Sequence, residues 1–459
     1  MKNRQDNRMG TEPIVPLLFK LSIPSIVSMA IQALYNVIDS IYIGNFNKQA
    51  LTGLSIAFPI QMILIAIAVG TGIGTSSLIS RELGKGNKEK ASSAAEHVLL
   101  LAILYGFALA LIGGLFSKNL ISLFSDNPTT IDYGTRYIRI ILLGSSALFI
   151  PMISNNILRG EGNTFIPMIT MLIGSILNII IDPLVIFGIG FFPRLGIEGA
   201  AIATVLSRLI SGIFILIMLF RNNNELKLNF RNFIFQFSII KDIYQVGLPA
   251  MIMQFLASFM IGGLNIIVGS YNEIAITALG IYFRLQSFVF MPVFGLNQGY
   301  MPIIGYNYGH NNPDRMKKTM KYGLLVGFIF TMIGFIIFQV FPKQLISLFI
   351  SNDENNKELL KIGTHTLKTI SLAFPIIGPA IVGSTTFQAI GKGIPSLTLS
   401  FSRQIILLLP LAYILGNIGG LDLVWYSFPI SEIISFIVMF FWLRKTLKNV
   451  FMNIENNFN

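Results

Sequence analysis

Two aspartates sit inside long apolar runs, and they are the residues best placed to handle an ion. Asp39 lies in LYNVIDSIYIG (34–44) and Asp182 in NIIIDPLVI (178–186). An aspartate at mid-membrane costs roughly 2.5–3.5 kcal/mol on insertion scales, and such residues usually mark ion or proton pathways. Asn178 precedes Asp182 by about one helical turn, so the two share a face. Thr204, in GAAIAT, adds a hydroxyl at similar depth. Two carboxylates, an amide and a hydroxyl suit either an all-oxygen cage for Na⁺ or a shared proton site. Two nearby carboxylates repel, so one of them holds its proton to raised pH. Pro183 follows Asp182 directly; a proline removes a backbone hydrogen bond and frees carbonyls at the same spot.

The elements that position these groups are apolar helices. Of 459 residues, 53% are hydrophobic and 12% charged, about half the charged share of a soluble domain. A bilayer core needs roughly 20 apolar residues per helix. Such runs extend from end to end, and they are too long and unbroken for the alternating strands of a membrane barrel. Twelve spans are expected, at 14–43, 51–79, 92–116, 134–158, 164–190, 197–220, 242–269, 274–304, 319–341, 361–390, 395–416 and 421–443. The fold class is therefore an all-α polytopic membrane protein. MKNRQDNRMGTEP lacks the apolar core of a signal peptide, so the first span is expected to direct insertion. With the N-terminus inside, 22 of the 33 Lys and Arg residues fall on the cytoplasmic side. This bias places both termini in the cytoplasm of a plasma-membrane protein. The net charge of +12 then reads as topology and lipid-headgroup contact rather than nucleic-acid binding. Cysteine is absent, which excludes disulfides, thiolate nucleophiles and Cys-ligated metals.

The chain is written twice. Pro24 and Pro249, Gly44 and Gly269, Gln61 and Gln286, Gly70 and Gly295, and Gly84 and Gly309 pair at a shift of 225, and LISLF recurs at 120–124 and 345–349. Toward Pro167 and Pro395 the shift becomes 228. Each copy holds six spans, an even number, so the copies form a parallel repeat about an axis along the membrane normal. The expected organisation is an N-lobe (1–220), a cytoplasmic linker (221–241) and a C-lobe (242–459), two six-helix bundles around a cleft that alternately opens to each side. The repeat also acts as a control. Asp39 corresponds to Leu264, and Asp182 to Pro410. The scaffold needs neither carboxylate, so the acids serve a task.

The segments YNVIDSIYIGN, RELGKGN, LRGEGNT (158–164), NIIIDPLVI, GIEGAAIAT (196–204) and FQAIGKG (387–393) resemble the multidrug and toxic compound extrusion (MATE) family, in its MepA-like bacterial branch. The resemblance spans about residues 10–450. It implies a twelve-helix antiporter of two lobes that exports cationic and lipophilic drugs against inward H⁺ or Na⁺, with no other cofactor. It carries the coupling site onto Asp39, Asn178, Asp182 and Thr204, with Tyr137 as a further candidate. Another branch of the family keeps its acids on second-lobe helices. Here LPAMIMQFLASFMIGGLNIIV (248–268) of span 7 and the core of span 10 have none, which favours the N-lobe site.

Glu432, in FPISEIISF, is the remaining deep acid; it either binds a cationic substrate or pairs with Arg403 or Arg208. Gln32, Tyr35, Asn36, Met62 and Gln286 are further candidates for substrate contact in a cleft walled by Met, Phe and Tyr, since methionine adapts to varied ligands and aromatic faces attract cations. GTGIG (70–74) reads as close-packing glycines rather than a nucleotide loop. His97, His310 and His365 show no metal spacing, and no catalytic triad or phosphate cradle is visible. The expectation is a monomeric transporter, not an enzyme; the alternative is a lipid-linked oligosaccharide flippase of the same superfold, which would need a cationic cleft.

Overall fold

The computed structural model describes residues 7–46, 48–190, 192–221, 225–349 and 357–456; the side chains of 35–37, 39–41, 43–46 and 48–51 lie outside the description. Helices and short connections make up all of it. In chain order they are α1 (Arg8–Thr11), α2 (Ile14–Phe46), α3 (Lys48–Gly84), α4 (Lys88–Ser122), α5 (Pro128–Leu143), α6 (Ser146–Gly160), α7 (Phe165–Phe187) and α8 (Ile197–Leu219). The second half follows with α9 (Phe237–Gly269), α10 (Glu273–Gly309), α11 (Pro313–Val340), α12 (Pro342–Ser347), α13 (Lys357–Ser371), α14 (Phe374–Ala389), α15 (Gly393–Phe401), α16 (Leu409–Val424) and α17 (Ser427–Asn456). A π-helical stretch, Ser402–Leu408, joins α15 to α16.

Ten helical segments among the described residues are long and apolar enough to cross a membrane. Two bent pairs, α5–α6 at 51° and α13–α14 at 50°, bring the total to twelve when each counts as one span. The twelve expected spans therefore appear, and the fourth and tenth are broken. The first break falls at Gly144 and Ser145, where a Cβ on Gly144 would stand 2.5 Å from Val205 of α8. The break thus lets α8 approach the bend. The outer surface is apolar as lipid requires: Phe107 is 70% exposed and Ile266 77%.

The helix ends follow local chemistry and repeat between the halves. Asn87 Oδ1 accepts from Lys90 N–H at the start of α4, and Asn312 Oδ1 accepts from Arg315 N–H at the start of α11. The turns just before them close alike, Asn87 N–H on Glu82 O and Asn312 N–H on Asn307 O, both at 2.9 Å. Each turn needs a left-handed residue, supplied by Gly86 (φ 79°) and Asn311 (φ 57°); asparagine is among the few non-glycine residues that tolerate that region.

By contact the chain forms two compact units, residues 23–251 and residues 7–22 with 252–456. These cut across the expected lobes: the linker and the first part of α9 belong to the first unit, and the first part of α2 to the second. Each transferred helix half is seated on glycine. In the first unit a Cβ on Gly74 would lie 2.2 Å from Ile243 O, and one on Gly70 2.6 Å from Gly247 O. In the second, a Cβ on Gly299, the repeat partner of Gly74, would lie 2.7 Å from Leu21 C. The close-packing reading of GTGIG holds. The core of the second unit gathers Leu264, Tyr282, Phe290, Phe338, Phe374 and Trp425.

Candidate cation-coupling site

The site is built where α7 packs against α8. Asn178 and Asp182 lie one turn apart on α7, and Thr204 lies on α8; they are 2%, 0% and 4% exposed. With its amide oriented so that both ends are satisfied, Asn178 Nδ2 donates to Asp182 Oδ2 at 2.8 Å, and its Oδ1 accepts from Thr204 N–H at 3.3 Å. In the opposite orientation Nδ2 stands 3.4 Å from both Asp182 Oδ1 and Thr204 Oγ1. Amide orientation is assigned from such networks, and either choice joins the three residues. Burying a carboxylate is costly without hydrogen bonds or a cation, and the Asn178 amide is one partner placed for it. Pro183 sits inside α7 without ending it; the helix runs on to a left-handed cap at Gly188, φ 73°.

Tyr137 is 3% exposed on α5, a helix that also packs against α8. Asp39 lies on α2, but its side chain falls outside the described residues, as do those of Tyr35 and Asn36. Its repeat partner, Leu264, is fully buried in the apolar core of the second unit.

The remaining candidates are spread over both units. Gln32, exposed, and Met62, half-buried, belong to the first. Gln286 and Glu432 belong to the second, each with a buried oxygen lacking a hydrogen-bond partner among the described residues, Gln286 Oε1 and Glu432 Oε2. Glu432 Oε1 accepts from Arg403 Nη1 at 2.8 Å. Of the two arginines offered as partners, the pair is made with Arg403, on the π-helical stretch, and not with Arg208, which lies in the first unit.

Sequence reasoning missed Ser207, a turn beyond Thr204 on α8. It is 1% exposed and its Oγ has no partner among the described residues. Asn155 Oδ1 and Ser154 Oγ on α6 are also buried and, among the described residues, unpartnered. α6 packs against both α7 and α8, so these polar atoms enrich the same helix cluster. Small polar residues in an apolar helix read as packing residues, which hid them.

The MatE family profile matches residues 24–184 and again 249–414, two segments that begin at Pro24 and Pro249 and so repeat at the shift found in the sequence. The chain is 28% identical over 454 residues to the FAD transporter of Shewanella oneidensis, covering 98% of each. It is 26% identical over 442 residues to the multidrug export protein MepA of Staphylococcus haemolyticus, covering 96% of each. A solved structure described as the outward-facing conformation of a multidrug resistance MATE family transporter of the MOP superfamily superimposes with a TM-score of 0.90 at 27% identity, over 98% of this chain and 99% of that one. With the twelve-helix fold and two matched repeats, the chain belongs to the MatE family of multi-pass membrane transporters and is not an enzyme.

Proposed function

We propose that this chain is a secondary active multidrug exporter, expelling cationic and lipophilic compounds in exchange for inward H⁺ or Na⁺, with the ion held by Asn178, Asp182 and Thr204 together with Asp39. One observation carries the reading: a carboxylate with no exposed surface is tied to an amide and a second helix inside an apolar lobe, at a position where the repeat has proline. The export of drugs is supported by the MepA relatives. In the proposed cycle the outward-open state takes up the ion at the acids. Neutralising Asp182 removes the cost of its buried charge and changes the packing of α7 at Pro183 and of α2 near Pro24. Drug is released outside, and reorientation delivers the ion to the cytoplasm. The membrane potential adds about 2.3 kcal/mol per charge per 100 mV. In this reading the protein is a plasma-membrane monomer in contact with lipid, with both termini cytoplasmic.

A second reading has one observation behind it, the relative named an FAD transporter; FAD is an anion rather than a cation. Efflux from proteoliposomes separates the two. Ethidium and FAD are loaded in turn, and a pH or Na⁺ gradient is imposed. Ethidium efflux driven by one gradient, and abolished in both Asp39→Asn and Asp182→Asn, is the expected result. Gradient-driven ethidium efflux that survives both substitutions refutes the site, and FAD efflux without ethidium efflux refutes the drug assignment.

A further inference from the structure

Residues 225–236, between the two repeats, are bound to helices of the first unit at several points. At their start Lys88 Nζ pairs with Glu225 Oε2 at 2.6 Å. Leu226 N–H then donates to Glu161 Oε1 at 2.7 Å, and Lys227 N–H to Ser92 Oγ at 3.1 Å. Asn229 N–H donates to Glu96 Oε1 at 2.6 Å, and Gln236 N–H to His97 Nε2 at 2.7 Å. The acceptors Ser92, Glu96, His97 and Glu161 are 9%, 8%, 1% and 6% exposed. Extended chain lacks partners for its own N–H groups, and side-chain acceptors supply them here. Phe233 and Phe235 close over the His97 ring at 4.7 and 5.6 Å. Gln236 is the residue before α9, so this strap sets where the second repeat begins.

The repeat again acts as a control. At the shift of 225, Ser92, Glu96 and His97 correspond to Lys317, Lys321 and Tyr322. The turn holding Glu161 matches one holding Ile390, since Gly162 and Gly391 share φ 84° and Asn163 N–H→Leu158 O parallels Lys392 N–H→Phe387 O. The second copy lacks all four acceptors and binds its own strap with donors instead. Arg315 Nη2 reaches Met9 O at 3.0 Å and Glu12 O at 2.8 Å, ahead of α2. The fold does not require Ser92, Glu96, His97 and Glu161; the strap does.

His97 fixes the chemistry. Its Nδ1 lies 2.7 Å from Ser93 O, a pure acceptor, so Nδ1 carries the hydrogen. Nε2 must then be bare to accept from Gln236. The bond exists only for the neutral ring. A proton on Nε2 would set two donors against each other at a histidine that is 1% exposed. The surrounding elements carry Glu96 on α4, Arg81 and Glu82 on α3, Arg159 and Glu161 at the end of α6, Arg231 on the strap, and Lys241 and Asp242 on α9. Glu82 is taken by Lys85 at 2.8 Å, and Asp242 by Lys90 at 2.9 Å. None of these forms an ion pair with His97 among the described residues.

We propose that the His97–Gln236 bond is a proton-sensitive latch that positions the entry to α9: neutral His97 holds the strap closed, and protonation of its ring releases Phe233–Gln236. His97 is a positioning residue acting through the strap, and the inference does not depend on which ion drives transport. The test is amide hydrogen exchange of the full chain in nanodiscs, corrected for intrinsic rates, at about pH 7.5 and about pH 5.5. The expected result is that Gln236 protection falls about tenfold or more in acid. In His97→Gln, which keeps an acceptor but cannot titrate, it stays constant. Equal Gln236 protection at both pH values in the unaltered protein overturns the proposal without recourse to any variant. So does an acid-induced loss in His97→Gln matching that of the unaltered protein.

Discussion

Glu161 offers a pH test of opposite sign at the other end of the same strap. Its carboxyl is 6% exposed and accepts from Leu226 N–H at 2.7 Å. Burial pushes it from 4.5 up to about 8; the Leu226 hydrogen bond pulls the other way, Glu225 nearby adds to the rise, and Lys88 offsets part of it. A raised value in the closed state means that this state holds the proton more tightly than the open one. Below pH 4.5 both states are protonated and no penalty exists. From 4.5 to about 8 the open state sheds its proton while the closed state keeps it. Closure therefore weakens by up to about 1.4 kcal/mol, or tenfold, per pH unit. Above about 8 both are ionised and the penalty stays constant. Over the whole interval it is on the order of 5 kcal/mol at most. Glu161→Gln keeps an acceptor oxygen and removes the titration. Measured by amide exchange at Leu226, protection in the unaltered protein is expected to fall by about tenfold or more between about pH 6 and pH 8, and in Glu161→Gln to stay level. A flat profile in the unaltered protein, or the same slope in the variant, defeats the reasoning.

The other predictions concern the two units separately. Arg403→Met leaves Glu432 buried without its counter-charge and should cost about 3–5 kcal/mol, whereas Arg403→Met with Glu432→Leu should recover most of that loss; melting temperatures in detergent compare the two. Asn178→Leu removes the donor to Asp182 and should shift the pH or Na⁺ dependence of efflux, with Thr204→Val producing a smaller shift; dose–response curves in proteoliposomes show which. Gly74→Leu places carbon 2.2 Å from Ile243 O and should cost at least about 1–3 kcal/mol through overpacking. Gly299→Leu should behave alike at its seat on Leu21 and Ser22, and monodispersity on size-exclusion chromatography tests both.

Much of this molecule was legible because hydropathy in a bilayer is a strong signal. Twelve apolar runs correspond to twelve spans when each bent pair counts as one, and the shift of 225 marks the repeat in the sequence alone. The breaks at Gly144–Ser145 and Leu372–Ala373 were not legible, because each pair of half-helices stays apolar across its bend, and hydropathy is blind to direction. The unit boundaries were not legible either. Which unit α2 or α9 joins along its length depends on where Gly70, Gly74 and Gly299 meet carbonyls, a long-range fact. At the candidate site, Asn178 and Asp182 are legible from helical spacing, and Thr204 from depth and resemblance; Ser207 is not, because small polar residues are common at helix contacts in an apolar bundle.

The strap and the buried acids differ in how visible they are in the sequence. Asp39 and Asp182 stood out because the second copy has Leu264 and Pro410 in their places. The same comparison applied to Ser92, Glu96 and His97 gives Lys317, Lys321 and Tyr322, and the matching turns set Ile390 against Glu161, a contrast just as sharp. It is the quieter signal because a polar residue at a helix end near water costs little, whereas an acid in hydrocarbon costs much. Insertion cost measures how strongly a residue must be justified, and the duplicated scaffold measures whether the fold already justifies it. The second measure applies at any depth. In a chain built from two copies of one bundle, groups present in one copy and missing from the other are where transport chemistry and its control are to be sought, in the membrane core and at its edge alike.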